Sequence, residues 1–286
     1  MPTINTNVNA LTAVQSVNNA ARNMEAVQDR ISSGLKTTGS KEKPASYGIA
    51  QNQRAELGSL ETVIAGLNRA SSIADVALAS AGAISDLFTS MRKFAVAASD
   101  PSMTEASRTI TNRDFVELRD QIKTMIANAQ FDGAGILGGP AGTFLNFLDS
   151  TDGLRTVGLP VLDFRLPDTP GPVADPPSAI YVGKDSTILT ASDANDMSKR
   201  IVATLDYVNG EMARLAAASK RVETQTAYFS KIMDNVTSGI GNIVDADLAK
   251  ETAQLEALKV RKGLSTTSIS MSNQPTQALL NLLRNV

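Results

Sequence analysis

The side chains of this chain that could carry out chemistry are almost entirely carboxylates. The sequence contains no cysteine and no histidine, which excludes thiol nucleophiles, disulfides and the usual ligands of zinc sites. Three aspartate pairs could serve in acid/base chemistry or metal binding: Asp149 with Asp152, Asp193 with Asp196, and Asp245 with Asp247. Each pair also lies beside Ser, Thr or Asn at a predicted turn or helix start, where capping explains a carboxylate without catalysis. We therefore predict no catalytic, metal or cofactor site.

One glycine-rich stretch has the pattern of a phosphate-binding loop. GAGILG, residues 133–138, matches GxGxxG, which binds dinucleotides when it follows a strand and opens a helix. Here a predicted helix precedes the stretch, and a segment rich in proline and glycine follows it. The expected structure is a turn, and no cofactor is predicted.

Charge and hydropathy exclude several classes of partner. The net charge is −2, from 27 basic and 29 acidic residues without long runs, so there is no field to attract nucleic acid. No stretch approaches the length of apolar sequence that a membrane span requires, and no membrane insertion is predicted. The N-terminus lacks the basic and apolar regions of a secretory signal, so export would use another route.

Heptad spacing predicts long helices in both halves of the chain. Over residues 14–35, six of seven positions spaced alternately by three and four are apolar, which is typical of a narrow coiled-coil seam. Over residues 201–243 the spacing holds for thirteen positions, of which eleven are apolar. A further helix is predicted after Asp247, whose carboxylate could cap it. Two such seams of similar length are expected to pair lengthwise.

The middle of the chain adds two helices and a segment of different character. Spacing predicts one helix over about residues 44–99 and another around 115–129. Between Gly133 and Gly183 lie seven of the eleven prolines and nine of the nineteen glycines, which favours a few strands and turns. The predicted fold class is mainly α, with long paired N- and C-terminal helices forming a coiled-coil or helical bundle and a small β or loop insert.

The chain finishes on NQPTQALLNLLRNV, where terminal residues are usually polar. Burying its apolar side chains would contribute roughly 8–15 kcal/mol, whereas ordering about ten backbone residues costs roughly 10–20 kcal/mol. For the tail of a single copy, the free energy gained by burial and the free energy lost by ordering therefore nearly cancel. We expect other copies of the chain to cover it, so that assembly and ordering are linked.

Five stretches resemble the bacterial flagellins, in order and at the expected ends: INTN at 4–7, RISSGLK at 30–36, QFDGAGIL at 130–137, NIVDADLAKE at 242–251 and QPTQALLNLLR at 274–284. The match covers about residues 1–138 and 195–286. The resemblance implies a structural subunit that self-assembles into the extracellular flagellar filament for swimming. It also implies unfolded export by the flagellar type III apparatus with an export chaperone, and contacts with hook-associated and filament cap proteins.

The same resemblance implies how the chain is organised. An inner terminal coiled-coil domain would comprise 1–36 and 245–286, a middle helical bundle domain 37–138 and 192–244, and a small outer insert 139–191. Gly34 would lie in the turn that joins the inner and middle regions, where a permissive backbone is needed. The assembly interface would use apolar residues from both ends of the chain: Leu11, Val14, Met24, Ile31, Leu255, Leu258, Leu279, Leu282 and Leu283.

One stretch departs from the family's pattern. TSMRKFAV, residues 89–96, aligns with the helix that many flagellins present to the vertebrate innate receptor. Arg92 is kept, whereas Ser90 stands where arginine is usual and Phe94 where leucine is usual. A weakened receptor epitope is expected.

Two other functions remain open. A hook-filament junction protein would share the fold and occupy only a few positions, although the short insert and the LLNLLR ending favour the filament subunit. An intracellular coiled-coil scaffold would use the same heptads. An enzyme within the insert, as in flagellins that resemble proteases there, would need a zinc motif with histidine, which this chain lacks.

Overall fold

The computed structural model describes residues 7–39, 43–174 and 176–284, and for residues 276 and 278–284 it describes the backbone only. Within these ranges the elements follow in the order α1 (Val8–Ser33), α2 (Pro44–Ala98), α3 (Glu105–Asn128), β1 (Phe144–Leu148), β2 (Thr156–Pro160), α4 (Ala191–Val244) and α5 (Leu248–Arg284). The predicted mainly α fold class with a small β insert is confirmed.

Contacts divide the chain into two compact units. The first comprises Met1–Leu57 and Asp234–Val286, and the second comprises Gly58–Met233. The boundaries fall inside α2 and α4. The division into inner, middle and outer parts remains a prediction.

Within the second unit, α2 packs through small residues. From Leu60 to Ala98 its buried positions recur at spacings of three and four, and most are alanine or aliphatic. By length and composition alone α2 could cross a membrane. Because its buried residues form a stripe while polar residues such as Arg69 and Arg92 are exposed, the helix has the amphipathic pattern of a folded core.

The insert begins with a β-hairpin. Strands β1 and β2 pair antiparallel, with Leu145 opposite Leu159, and Gly153 in the connecting turn has a φ of 73°. The guanidinium of Arg221 in α4 donates a hydrogen bond to the carbonyl of Gly158 at 3.1 Å. The predicted strands around TFLNFL therefore form a single hairpin that is tied to α4.

The rest of the described insert, residues 161–174 and 176–190, is irregular and is held by polar contacts to the helices. The main-chain N–H of Tyr181 donates to the buried hydroxyl of Thr204 at 3.0 Å. The N–H of Ile188 donates to the amide oxygen of Asn112 at 2.7 Å. These two side chains accept hydrogen bonds from backbone N–H groups that are not paired in a β-sheet. The irregular segment can therefore pack against the helices without leaving these groups unpaired.

Candidate subunit interface

Helices α1 and α5 of the first unit pack against each other in antiparallel orientation. Near one end of the pair, the Asn7 side-chain amide donates to the carbonyl of Ser272 at 2.7 Å. Near the other end, the guanidinium of Arg30 lies 3.1 Å from the carboxylate of Glu251. The two contacts define one register along nearly the full length of α1.

Small side chains form the seam between the two helices. The buried and half-buried positions of α1 are Ala10, Ala13, Val17, Ala20, Ala21, Met24, Ala26, Val27, Arg30 and Ile31. Those of α5 are Glu251, Leu255, Leu258, Ser265, Ile269 and Ser272. Most of these positions follow the three-and-four spacing of a coiled coil.

The phase predicted for the α1 seam is partly wrong. Val17, Met24 and Ile31 face inward as predicted, but Val14 is 43% exposed, and Gln28 is also exposed. The fully buried positions are Ala20 and Val27 instead. Val17, Met24 and Ile31 belong to two possible heptad phases. One phase also turns Val27 inward, and the other turns Gln28 inward. The first phase removes more apolar surface from water.

A short clasp closes the end of the pair where α1 finishes. Gly34 ends α1 with a φ of 69°. Its carbonyl accepts a hydrogen bond from the N–H of Ala246 at 2.9 Å, and the N–H of Lys36 donates to the carbonyl of Val244 at 2.6 Å. The turn at Gly34 therefore brings the chain onto the junction between α4 and α5.

Helix α5 carries a second apolar face that α1 does not cover. Val260, Leu264 and Met271 are 63%, 65% and 64% exposed. Val260 comes two residues after the buried Leu258, and at about 100° per residue this places it on roughly the opposite side of the helix. Ala253, Ala257 and Thr267 complete this outward stripe and are also exposed: the stripe is 253, 257, 260, 264, 267 and 271.

Helix α1 adds a shorter exposed group at its N-terminal end. Val8 and Leu11 are 66% and 60% exposed, and Val14 is less so. Exposed apolar residues at neighbouring positions in one helical region are typical of an interaction surface, whereas single exposed ones are ordinary. We call Val8, Leu11 and Val14 with the α5 stripe the outward surface.

The structure separates the predicted interface residues into three groups. Leu11 and Val14 belong to the outward surface. Met24, Ile31, Leu255 and Leu258 face the α1–α5 seam within the chain. The side chains of Leu279, Leu282 and Leu283 lie outside the described residues, although the backbone of α5 continues as helix to Arg284.

Sequence reasoning missed most of the outward surface. Val8, Val260, Leu264 and Met271 were absent from the predicted interface, although the last three follow heptad spacing. The sequence does contain a signal for this surface, because α5 has two apolar stripes. A helix that packs against a single partner needs only one apolar stripe.

The predicted receptor epitope lies on α2 in the second unit. Arg92 is exposed, whereas Ser90 and Phe94 are half-buried. Phe94 borders a groove that is also lined by residues of α3: Asp114, Glu117, Leu118 and Gln121. The groove is therefore lined by acidic, polar and apolar side chains, and the exposed Arg92 and Lys93 lie on the same stretch of α2.

The aspartate pairs occupy turns and helix starts. Asp152 accepts hydrogen bonds from the Ser150 hydroxyl and from the N–H of Leu154, and these bonds lower the pKa of its carboxyl. The carboxylate of Asp247 accepts from the N–H of Lys250 at 3.1 Å and caps α5. Asp193 lies in the first turn of α4, where negative charge is favoured by the helix dipole.

The glycine-rich stretch forms a turn. Asp132 and Gly133 have positive φ values of 50° and 72°, and Ile136 and Leu137 are buried behind them. The structure therefore lacks the strand-turn-helix geometry that holds a phosphate. In the described part of the chain, no group of three His, Cys, Asp or Glu residues is placed to hold a metal ion.

Comparisons with known proteins agree on one family. The model of the bacterial flagellin N-terminal helical region matches residues 4–141, and that of the C-terminal helical region matches residues 199–283. Flagellins FljK and FljM of Caulobacter vibrioides are 35% and 36% identical to this chain, over 98% of it and 98% of their own lengths. The crystal structure of Bacillus cereus flagellin aligns with a TM-score of 0.38 at 17% identity, covering 66% of this chain and 93% of that one.

Proposed function

Since this chain belongs to the bacterial flagellins, which are structural subunits of the flagellar filament and not enzymes, we propose that it polymerises outside the cell into a filament for swimming motility. The proposal includes unfolded export by the flagellar type III apparatus with an export chaperone. It also includes contacts with hook-associated and filament cap proteins.

One observation carries the proposal: α5 has two opposite apolar faces, and the chain itself covers one of them. Removing a large aliphatic side chain from water contributes about 1.5–3 kcal/mol. The outward surface offers several such side chains, so a neighbouring subunit is the partner that best accounts for it. Both faces keep heptad spacing, which suits packing against further helices of the same kind.

The register of the α1–α5 pair supports a role for the C-terminal tail. The amide of Asn7 contacts Asn273 at 3.3 Å, and α5 continues from there to Arg284. The last turns of α5 therefore extend past residue 7, where the described part of α1 begins. We propose that Leu279, Leu282 and Leu283 join the outward surface in contacts between subunits, while Met24, Ile31, Leu255 and Leu258 hold each subunit's own pair together.

The domain organisation follows from the same proposal. The inner domain would be 1–36 with 245–286, the middle domain 37–138 with 192–244, and the outer insert 139–191. Limited proteolysis of intact filaments tests this division. We expect cleavage within 139–191 before cleavage within either helical part, and early cleavage in α1 or α5 would contradict it.

The experiment that tests polymerisation replaces Leu264 with aspartate. A charge on the outward surface should abolish filament formation without disturbing the α1–α5 seam, because Leu264 is exposed on the stripe whereas Leu258 is buried in the seam. Thr266→Asp is the matched control, since Thr266 is exposed but lies outside the stripe. Sedimentation and negative-stain microscopy read the outcome, and long filaments from Leu264→Asp would refute the proposed interface.

Abundance separates the filament subunit from the hook-filament junction protein. Appendages sheared from the cell surface should consist mainly of this chain if it forms the filament, and contain only a trace if it forms the junction. A chain confined to the cytoplasm, with swimming unaffected by its deletion, would instead support the intracellular scaffold.

We also propose that the innate receptor recognises this flagellin weakly. The proposal rests on Ser90 and Phe94, which replace the usual arginine and leucine beside the exposed Arg92. The double variant Ser90→Arg with Phe94→Leu should raise the response of receptor-expressing reporter cells over that of the unchanged chain. An equally strong response from the unchanged chain would contradict weak recognition.

A further inference from the structure

The α1 side of the seam contains little information about the register of the helix pair. Along α1 one row of inward positions reads Ala10, Val17, Met24 and Ile31, and the other reads Ala13, Ala20 and Val27. A displacement by one heptad therefore replaces each inward residue of α1 with another apolar residue, whereas on α5 it exchanges Leu258 with Ser265. Seams built from repeated small side chains tolerate such slips unless a polar contact opposes them.

A slip would change the surface that a subunit presents to others. One heptad corresponds to a displacement of about 10 Å along the helix axis. The exposed residues of α1, Leu11 among them, would then be displaced along α5 by that distance. A unique register is therefore needed if the outward surface is to have one shape.

Besides the main-chain clasp, two side-chain contacts mark the observed register, and the stronger is an ion pair. The side chains of Arg30 and Glu251 are only 18% and 13% exposed, so both charges lie largely inside the pair. At the other end, Asn7 caps α1 through the N–H of Ala10 at 3.1 Å and binds Ser272. The two contacts are satisfied together only when the helices are in this one alignment.

We propose that the ion pair between Arg30 and Glu251 sets the register of α1 on α5. A slip of one heptad separates the two charges and moves the largely buried carboxylate next to Asn23, or the guanidinium next to Leu258. Stranding a buried charge in this way is unfavourable even where the apolar contacts are preserved. The inference concerns the fold of one subunit and does not depend on what the subunit assembles into.

The absence of cysteine from the chain makes register directly measurable. The pair Asn7→Cys with Ser272→Cys reports the observed register, because these side chains are in contact. The pair Asn7→Cys with Ser265→Cys reports the one-heptad slip that moves Glu251 next to Asn23, because Ser265 is seven residues from Ser272 on the same inward face. A disulfide needs Cα atoms within roughly 7 Å, so each reporter responds to one register.

The test compares the two reporters in three backgrounds of the full-length chain: unchanged, Glu251→Gln, and the charge exchange Arg30→Glu with Glu251→Arg. Intrachain disulfide is separated from interchain disulfide by mass on non-reducing gels, in both pelleted and soluble material. The ratio of native to slipped product should fall at least about tenfold in Glu251→Gln and recover in the charge exchange.

Two outcomes would overturn the inference. A ratio unchanged by Glu251→Gln would assign the register to the main-chain clasp or to the apolar seam, because Asn7 is cysteine in both reporters. Loss of both products in Glu251→Gln would show that the ion pair holds the helices together without selecting their alignment. Both disulfides form within one chain, so a variant that does not assemble into filaments still gives a measurable ratio. The result is therefore independent of whether the proposed function is correct.

Discussion

At the scale of single residues, Gly34 shows how one backbone conformation directs the chain. Its φ of 69° ends α1 and turns residues 34–36 onto the α4–α5 junction. A Cβ at this position would meet no atom within 4 Å. The demand for glycine therefore comes from the left-handed backbone and not from crowding.

Replacing Gly34 with alanine should destabilise the clasp by about 1–2 kcal/mol, the cost of a left-handed conformation for an ordinary residue. Asparagine tolerates this conformation better, so Gly34→Asn should fall between alanine and glycine. Gly39→Ala is the control, because Gly39 has an ordinary φ and open space around it. Thermal unfolding of the three variants gives the order, and equal melting temperatures for Gly34→Ala and Gly39→Ala would contradict it.

At the scale of elements, the sequence predicted the helices well and the faces of the helices less well. Long runs of three-and-four spacing located α1, α2 and α4 because periodicity over many turns averages out single exceptions. The phase of the α1 seam was wrong because Val17, Met24 and Ile31 fit two heptads equally. The outward stripe of α5 was overlooked because Val260, Leu264 and Met271 were not separated from the inward Leu255 and Leu258 as a second face.

The phase of the seam can be tested with two adjacent positions of α1. Val27 is fully buried and Gln28 is exposed. Val27→Ala should destabilise the α1–α5 pair by about 2 kcal/mol, from lost apolar burial and the cavity left behind. Gln28→Ala should change the stability by less than about 0.5 kcal/mol, as surface substitutions usually do.

Hydrogen exchange of the α1 amides measures this difference in the assembled protein. Faster exchange along α1 in Val27→Ala and unchanged exchange in Gln28→Ala would establish the observed phase. The reverse order would restore the phase predicted from the sequence, with positions 14, 21 and 28 inside.

At the scale of the whole molecule, both units combine buried apolar side chains with apolar side chains that one copy leaves exposed. In the second unit Phe88, Phe115 and Phe164 are buried, whereas Ile110, Leu154 and Tyr228 are exposed. The pair of α1 and α5 in the first unit covers only one face of α5 and leaves the outward surface in water. The sequence predicted uncovered apolar residues at the tail, whose side chains lie outside the described residues. The exposed residues farther along α5 were found only in the structure, because exposure depends on which face a partner already occupies.

Removing residues 279–286 tests whether the end of α5 belongs to the fold of one copy or to the assembly. The contacts of Asn7 with Ser272 and Asn273 precede the deletion, so the α1–α5 pair should keep its polar anchors and the chain should stay soluble. We expect no polymerisation, because the deleted leucines would be covered only by neighbouring subunits.

The full-length variant with Leu279, Leu282 and Leu283 replaced by serine separates loss of apolar surface from loss of length. It should also remain unassembled in sedimentation and negative-stain microscopy. Long filaments from either chain would mean that the outward surface of 260–271 suffices for polymerisation.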